Sequence, residues 1–390
     1  MLSRLRRRTK RKGNTCAATN IPISKKVIVM KKNKITLSHH TSPLAIGAEE
    51  PTALNLLLGF NTPAERELEY QKISQLNRYQ NKINVITDLS TCRISIKESL
   101  WYHVLQNTDF IAALVPVYHC WIKGEGLNKS LLLESIIEAA ENGVSLITIH
   151  PTPSRTLASL CKDRIIPVTS RGGGMVLNDL ILNNREINIY LELLPEIIEI
   201  SVKHNMAISI GTSFRSASII DSFDAAYQAE LIEQIKIADY ITAGGGTAII
   251  ETPGHASPHN ITLICDYLNQ SSSAPIMPLG PMPTDIGMEL DDVAAAIGAV
   301  LMGTNHCADL LSIVTSIEHT GGLPDIQTLL KAVDIYTLAK HIIDISKIND
   351  CKDDKNISEQ RRSFCSCIPD NQSICTRCSE YCPLILKDLW

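Results

Sequence analysis

No run in this 390-residue chain stays apolar over the roughly 18 to 20 residues that a membrane helix needs, so no bilayer span is expected. The N-terminus has no secretory apolar segment with a small-residue cleavage site. Neither G-x-G-x-x-G nor a Walker loop occurs, and no internal repeat is present. Acidic side chains are absent from the first 40 residues, which hold twelve of the 37 Lys and Arg; the remainder sets 25 basic against 41 acidic groups. Neutralising phosphates takes a broad basic surface, so this acidic body argues against nucleic acid as the main partner. The expectation is a cytoplasmic protein with no membrane and no nucleic-acid partner. Arg4, Arg6, Arg7, Arg8, Lys10, Arg11 and Lys12 read as a solvated, disordered tail, and residues 1–40 are left outside the fold.

What the chain has in quantity is core: 44% hydrophobic against 20% charged residues supports a large buried interior. Short β-rich runs alternate with helical patterns between about residues 53 and 350. Candidate strands are 54–59, 83–87, 112–118, 144–150, 165–170, 207–211, 247–251 and 275–280. Apolar residues at i, i+3, i+4 mark helices over 130–142, 191–204, 225–237 and 291–302, with a last helix at 325–348. Alternation repeated about eight times predicts parallel strands joined by helical crossovers. Closure into a (β/α)8 TIM barrel, an α/β fold of roughly 250 residues, fits that count, with an open doubly wound sheet as the alternative. The domains are then a basic tail at 1–40, a catalytic barrel at 41–350 and a cysteine-rich segment at 351–390. Polar clusters at 88–90, Tyr118, His150, Ser170 with Arg171, 212–215, 251–255 and 280–285 fall at or just after predicted strand ends. In a parallel barrel those ends share the face on which catalytic groups gather, which argues for an enzyme.

Twelve cysteines without a secretory segment point to a reducing compartment, hence to metal or reactive thiols before disulfides. Cys351, Cys365, Cys367, Cys375, Cys378 and Cys382 crowd the last 40 residues, whereas Cys16, Cys92, Cys120, Cys161, Cys265 and Cys307 read mostly as small buried hydrophobes. Cys375-Thr-Arg-Cys378-Ser-Glu-Tyr-Cys382-Pro383 sets three thiolates within eight residues, enough to wrap one metal cluster. It ends like a ferredoxin motif in which Gln372 replaces a cysteine. An open-iron [4Fe–4S] cluster leads, with a closed cluster and a zinc site completed by Cys365 or Cys367 as alternatives.

Glu251-Thr-Pro-Gly254-His255 and Glu318-His319 each set a carboxylate near a histidine. Neutral imidazoles suit divalent zinc, iron or cobalt in an incomplete, Lewis-acid site; plain hydrogen-bonded histidines are the alternative. Ser170-Arg171-Gly172-Gly173-Gly174, ahead of a helix expected near Met175, offers backbone N–H groups, a helix start and a bidentate charge. That combination suits a phosphate monoester better than a mere flexible turn, and Arg215 can hold a second edge. His150 and Tyr118 close neighbouring strands and suit acid–base work or orientation of a heterocycle. His119, His259 and His306 read as structural or surface residues, and residues 244–246 as a glycine loop.

Taken in order, Asp88-Leu-Ser-Thr91, Val115-Pro-Val-Tyr118, Ile147-Thr-Ile-His150, Ser170-Arg-Gly-Gly173, Glu251-Thr-Pro-Gly-His255, Leu279-Gly-Pro281 with Thr284-Asp285, Glu318-His319 and the terminal cysteines resemble the phosphomethylpyrimidine synthase superfamily. These are non-classical radical S-adenosylmethionine (SAM) enzymes with a C-terminal cluster motif. The resemblance implies a homodimer of (β/α)8 barrels, the tail of one subunit covering the other's mouth, and 5-aminoimidazole ribonucleotide as substrate. By matching motif, His255 and His319 would hold the divalent metal, and Cys375, Cys378 and Cys382 the [4Fe–4S] cluster. Tyr118, His150, Ser170, Arg171, Gly172, Thr212, Ser213, Phe214, Arg215 and Glu251 would contact substrate, with Tyr118, His150 and Glu251 in catalytic roles. Thr87 stands where the family's substrate-binding Met is expected, and Leu57 near its Asn. A low-potential donor would reduce the cluster, SAM would yield a 5′-deoxyadenosyl radical, and hydrogen abstraction from the ribose would start the rearrangement.

Two products occur in that superfamily: the thiamin pyrimidine phosphate, and 5-hydroxybenzimidazole, the cobamide lower-ligand precursor. The thiamin enzymes carry Asp-Gly-Leu-Arg where this chain has Thr212-Ser213-Phe214-Arg215, and usually a Tyr within the stretch that here includes Met277. They have one Gly after Glu-His where Gly321 and Gly322 stand here, and a longer, differently spaced cysteine tail. The departures resemble the 5-hydroxybenzimidazole branch, which is therefore the leading expectation, with the thiamin pyrimidine as alternative. A non-catalytic iron–sulfur electron carrier, or a paralogue acting beside a partner subunit, is the reading from another class.

Overall fold

The computed structural model describes residues 30–38, 43–92, 94–369 and 375–385; the basic segment 4–12 falls outside them. Eight parallel strands form one sheet: β1 (Ala53–Leu58), β2 (Val85–Asp88), β3 (Ile111–Leu114), β4 (Leu146–Ile149), β5 (Ala207–Ile210), β6 (Ala248–Glu251), β7 (Ile276–Met277) and β8 (Leu310–Ile313). Each pairs with its neighbour in sequence, and β8 returns to β1 with Leu310 opposite Ala53 and Ile313 opposite Leu56. Asp309 and Ser312 donate backbone N–H groups to the carbonyls of Ile276 and Pro278, and a bridge joins Leu279 to Ser312. The sheet is thus closed, as the strand–helix alternation predicts. Runs such as Leu146–Ile149 and Ala248–Glu251 are buried at all four positions, because helices cover the outer face and the barrel lumen lies inside.

The crossovers are α1 (Arg66–Leu76), α2 (Leu100–Asn107), α3 (Lys129–Glu141), α4 (Arg155–Leu160), α5 (Arg171–Leu182), α6 (Ile189–Glu192), α7 (Leu194–His204), α8 (Ala225–Ala243), α9 (Pro258–Ser271), α10 (Asp291–Thr304) and α11 (Ile326–Ile348). After the barrel comes α12 (Lys352–Ser363), which buries no residue. Ser99, Asn128, Ser154, Ser170, Asp224, Ser257 and Asp325 each accept the backbone N–H three residues on, satisfying a donor that the first helical turn leaves free. No helix among the described residues is long and apolar enough to cross a membrane.

Two expectations need correction. Residues 165–170 form no strand. Ile165 and Ile166 are exposed, and their N–H groups go to the Asp221 carboxylate, not to a neighbouring strand. Arg164 clamps the same turn through the Pro167 carbonyl and both Asp224 oxygens. The eighth strand is Leu310–Ile313 instead. The folded part also begins before residue 40. A ribbon pairing Ile35–Leu37 with Leu44–Ile46 buries Leu37 and Ile46 beside Ala53, Val85, Ile111, Leu146, Ala207, Ile249 and Leu310, the inward residues at the strand starts. Lys32 is buried there too, its Nζ donating to the carbonyls of Leu268 and Ser272 at 3.1 and 2.8 Å. An apolar plug therefore seals the barrel floor. Leu37→Ala is expected to lower stability by about 2–5 kcal/mol in urea unfolding; a loss below about 1 kcal/mol would mean that the ribbon does not plug the barrel.

Candidate active site

Because side chains alternate along a strand, the inward row of β1 runs Ala53, Asn55, Leu57, and the other strands follow in layers. Above the apolar floor the second layer is polar: Asn55, Thr87, Thr148, Ser209, Glu251 and Ser312 are all buried. Thr87 Oγ1 donates to Asn55 Oδ1 at 2.8 Å, and Asn55 Nδ2 lies 3.3 Å from Ser312 Oγ. Over this layer opens a cavity of about 240 Å³ at the C-terminal ends of the strands. A barrel interior usually carries branched apolar side chains at this depth, so a polar second layer marks a binding chamber.

One wall of the chamber is built for an anion. Helix α5 starts at Arg171, earlier than the position near Met175 that the sequence suggests, so the three glycines lie inside its first turn. Ser170 caps it by accepting the Gly173 N–H at 3.1 Å. Arg171 lies over the Tyr118 ring, 4.6 Å from its centroid, and both line the cavity with Ser170. Arg215 reaches the cavity from the β5–α8 loop, with Nη1 2.9 Å from the Thr212 carbonyl and 3.6 Å from Glu251 Oε1.

Gly172 and Gly211 press on the two sides of the His150 ring. A Cβ on Gly172 would stand 2.3 Å from Cε1, and one on Gly211 2.7 Å from Nε2. The slot holds the ring inside the barrel with its Nδ1 buried and lacking any partner among the described residues. Burial pushes the imidazole down to about 3, and the Arg215 charge adds to the shift, so His150 is a neutral base facing the chamber. Burial also raises the Glu251 carboxyl above its ordinary value, opposed by Arg215 and by the Thr212 N–H. Tyr118 is raised by burial, with Arg171 and Arg215 acting against it. A neutral imidazole, a carboxyl of raised pKa and two guanidinium groups are what proton transfer beside a bound anion requires.

His255 and His319 face one another at the rim, ring centroids 5.1 Å apart and planes at 77°. His255 Nδ1 lies 2.7 Å from Asp285 Oδ1, and His319 Nδ1 lies 3.0 Å from Asp291 Oδ1. A carboxylate only accepts, so each Nδ1 carries a proton, and in the neutral ring it is Nε2 that offers the lone pair. Two imidazoles held this way fit a divalent metal. Cys375, Cys378 and Cys382 are free thiols of intermediate exposure, a donor set chemically suited to an iron–sulfur cluster. Among the described residues, no group of three or more His, Cys, Asp or Glu is gathered into a metal-holding arrangement, these three thiols included.

Of the residues singled out in the sequence, Tyr118, His150, Ser170, Arg171, Arg215, Glu251, His255 and His319 share the cavity. Gly172 lies behind the His150 ring. Thr212, Ser213 and Phe214 do not line the cavity. Phe214 packs outward with Leu157, Cys161 and Ala226, while Thr212 ties its hydroxyl to the Glu251 carbonyl. Four further residues line the site or brace it. Asn55 sits one inward step below Leu57, where the Asn was sought, and strand alternation was the available signal. Met277 lines the cavity from β7. Glu230, on α8, accepts the N–H groups of Ser213 and Phe214 at 2.6 and 2.7 Å and the Thr152 hydroxyl at 2.5 Å. Burial lifts that carboxyl to about 7 against those three donors. Asp291, in the first turn of α10, carries no sequence signal.

The chain matches the Radical SAM ThiC family over residues 5–367, a span that ends before the three tail cysteines. It is 29% identical to a phosphomethylpyrimidine synthase of Pyrobaculum aerophilum over 321 residues, 78% of this chain and 72% of that protein. A Saccharolobus islandicus protein of the same name is 27% identical over 372 residues, 87% of this chain and 84% of that one. "Phosphomethylpyrimidine synthase 2" of Saccharolobus solfataricus is 27% identical, covering 93% of this chain and 89% of that protein.

The His150 slot generates two tests. The depressed value means that the unfolded chain takes up a proton that the folded ring refuses. The site's contribution to stability is therefore full above pH 6.5 and is lost as pH falls toward 3. In NMR titration the ring signal missing from His150→Gln is expected to stay at its neutral shift from pH 8 down to 5; titration near 6.5 would contradict the burial argument. Gly211→Ala is expected to displace the ring and cost about 1–3 kcal/mol by overpacking, read as a lowered denaturation midpoint.

Proposed function

Because the chain belongs to the Radical SAM ThiC family, we propose that it is a phosphomethylpyrimidine synthase, rearranging 5-aminoimidazole ribonucleotide into the thiamin pyrimidine phosphate. A radical SAM lyase uses SAM and an iron–sulfur cluster, and the named relatives favour this product. The observation that carries the reading is the single chamber where an arginine at a helix N-terminus, a second arginine from the β5–α8 loop, a neutral imidazole with a free Nδ1 and two carboxylate-held histidines converge.

In this reading Arg171, Arg215 and the first turn of α5 hold the phosphate, and Ser170 fixes that turn. His150 Nδ1 accepts from, or returns a proton to, the heterocycle. Glu251, uncharged more readily than an exposed carboxyl, moves a second proton near the ribose. Asn55 supports the ligand from the polar layer. When bound, the cluster with SAM supplies a carbon radical for hydrogen abstraction, and the divalent metal supplies a Lewis acid. Cys375, Cys378 and Cys382 would hold three irons, leaving one open to SAM. Every residue lining the cavity belongs to the barrel, from Asn55 to His319, and none of the described tail does. In this reading, as the resemblance implies, the chain is a homodimer in which a partner's cysteine-rich segment 351–390 covers the mouth of the 41–350 barrel.

The 5-hydroxybenzimidazole product remains the second reading, favoured by the segment 275–280, which lines the cavity through Met277, Leu279 and Gly280 and lacks the Tyr that the thiamin enzymes usually carry there. Anaerobic reconstitution with iron and sulfide, then incubation with 5-aminoimidazole ribonucleotide, SAM and dithionite, separates the two by mass spectrometry. A phosphorylated pyrimidine is expected. A hydroxybenzimidazole would select the second reading, and a cluster that cleaves no SAM in a substrate-dependent way would mark an electron carrier. Arg171→Met is expected to lower kcat/KM roughly 10- to 100-fold, mainly through KM, since one charge-assisted contact to phosphate is lost.

A further inference from the structure

We propose that Asp285 and Asp291 are the positioning residues that aim His255 and His319 at a shared divalent cation, and that Asp285 also couples this pair to the anion-binding loop. The inference rests on the two histidines holding a metal.

The two carboxylates come from separate places, the β7–α10 loop and the first turn of α10, and each is committed to one imidazole. Asp291 is buried and takes both the ring and the backbone of one residue: Oδ1 lies 3.0 Å from His319 Nδ1, and Oδ2 accepts the His319 N–H at 3.1 Å. That double contact fixes the rotation of the ring about its own backbone. Asp285 divides its oxygens differently. Oδ1 lies 2.7 Å from His255 Nδ1, while Oδ2 accepts the Ile219 N–H at 2.9 Å and the Ser218 hydroxyl at 3.1 Å. Ser218 and Ile219 lie three and four residues beyond Arg215 on the same loop. His255 itself donates its backbone N–H to the Ser216 carbonyl at 3.0 Å. A Cβ on Gly254 would stand 2.7 Å from that carbonyl oxygen, so the two loops touch with no room for adjustment.

The chemistry follows from the donor set. Pinning the proton on Nδ1 leaves Nε2 as the lone pair, and the negative charge behind the ring raises its basicity toward a cation. With both rings so held, 5.1 Å between centroids, one small cation can take a nitrogen from each. The remaining positions stay open to substrate or water. Through Asp285, a shift of the loop that carries Arg215 would be felt at His255.

The test uses the metal-free full-length chain titrated anaerobically with Co2+, following visible d–d absorption. His255→Gln serves as the blank, so that only histidine-dependent binding counts and cobalt on tail thiols is subtracted. Asp285→Ala and Asp291→Ala are expected to weaken that binding about 10- to 100-fold and to change the band shape, with Asp285→Asn and Asp291→Asn intermediate. The Asn variants keep an acceptor of the same shape, so they report even where an Ala variant folds poorly; a melting temperature within about 2 °C of wild type certifies the fold. Histidine-dependent affinity within twofold of wild type in all four variants would overturn the proposal. No histidine-dependent band in the wild type would instead overturn the metal reading on which it stands.

Discussion

Desolvation of polar groups inside a closed barrel is the constraint from which the rest of this molecule follows. A buried hydroxyl, amide or imidazole costs free energy unless it finds a partner, and here a layer made mostly of polar groups sits above an apolar floor. Some of them satisfy one another, as Thr87, Asn55 and Ser312 do. Others do not: His150 Nδ1 and Ser209 Oγ end without partners among the described residues. The same burial that leaves His150 short of a partner also holds it neutral and lifts Glu251. Binding and acid–base capacity thus have one physical source.

That burden is borne by carboxylates standing behind the chamber. Glu230 takes the N–H groups of Ser213 and Phe214, Asp285 that of Ile219, and Asp291 that of His319. Each fixes a loop that leaves a strand end, where the backbone can no longer pair with a neighbouring strand. The loops can then carry Arg215, His255 and His319 without a wide basic surface, which agrees with the acidic balance of the body.

The barrel was legible because buried parallel strands are short continuous apolar runs and the helices between them keep a 3.6-residue period. The count of eight arose through a compensating error. The run at 165–170 has strand composition, but the N–H groups of Ile165 and Ile166 belong to Asp221, a partner some 55 residues away that no local pattern announces. Residues 1–40 read as one basic tail, yet 35–37 pair into the ribbon and Lys32 is buried on two carbonyls. Within the site, residue types with strong chemistry stood out: Arg171, His150, His255, His319. Asn55 was missed by one inward step, and Glu230 and Asp291 because a carboxylate on a helix reads as a solvated face until its partners are known.

The stretch 212–214 shows where such reading misleads. Its departure from Asp-Gly-Leu weighs toward the benzimidazole product only if those side chains meet the substrate. In the barrel those side chains lie off the cavity lining: Phe214 packs with Leu157, Cys161 and Ala226, Ser213 bonds to Thr152, and the backbone is fixed by Glu230 and Glu251. The departure concerns how the Arg215 loop is held, not what Arg215 touches. The departures that do reach the cavity wall are Thr87 and the segment 275–280, which lines it through Met277, Leu279 and Gly280. Met277 gives that wall a thioether, and the segment holds no phenol. Thr87 orients the Asn55 amide where a methionine would only pack. Both set the polarity of the wall and floor against which a ligand of this cavity would rest.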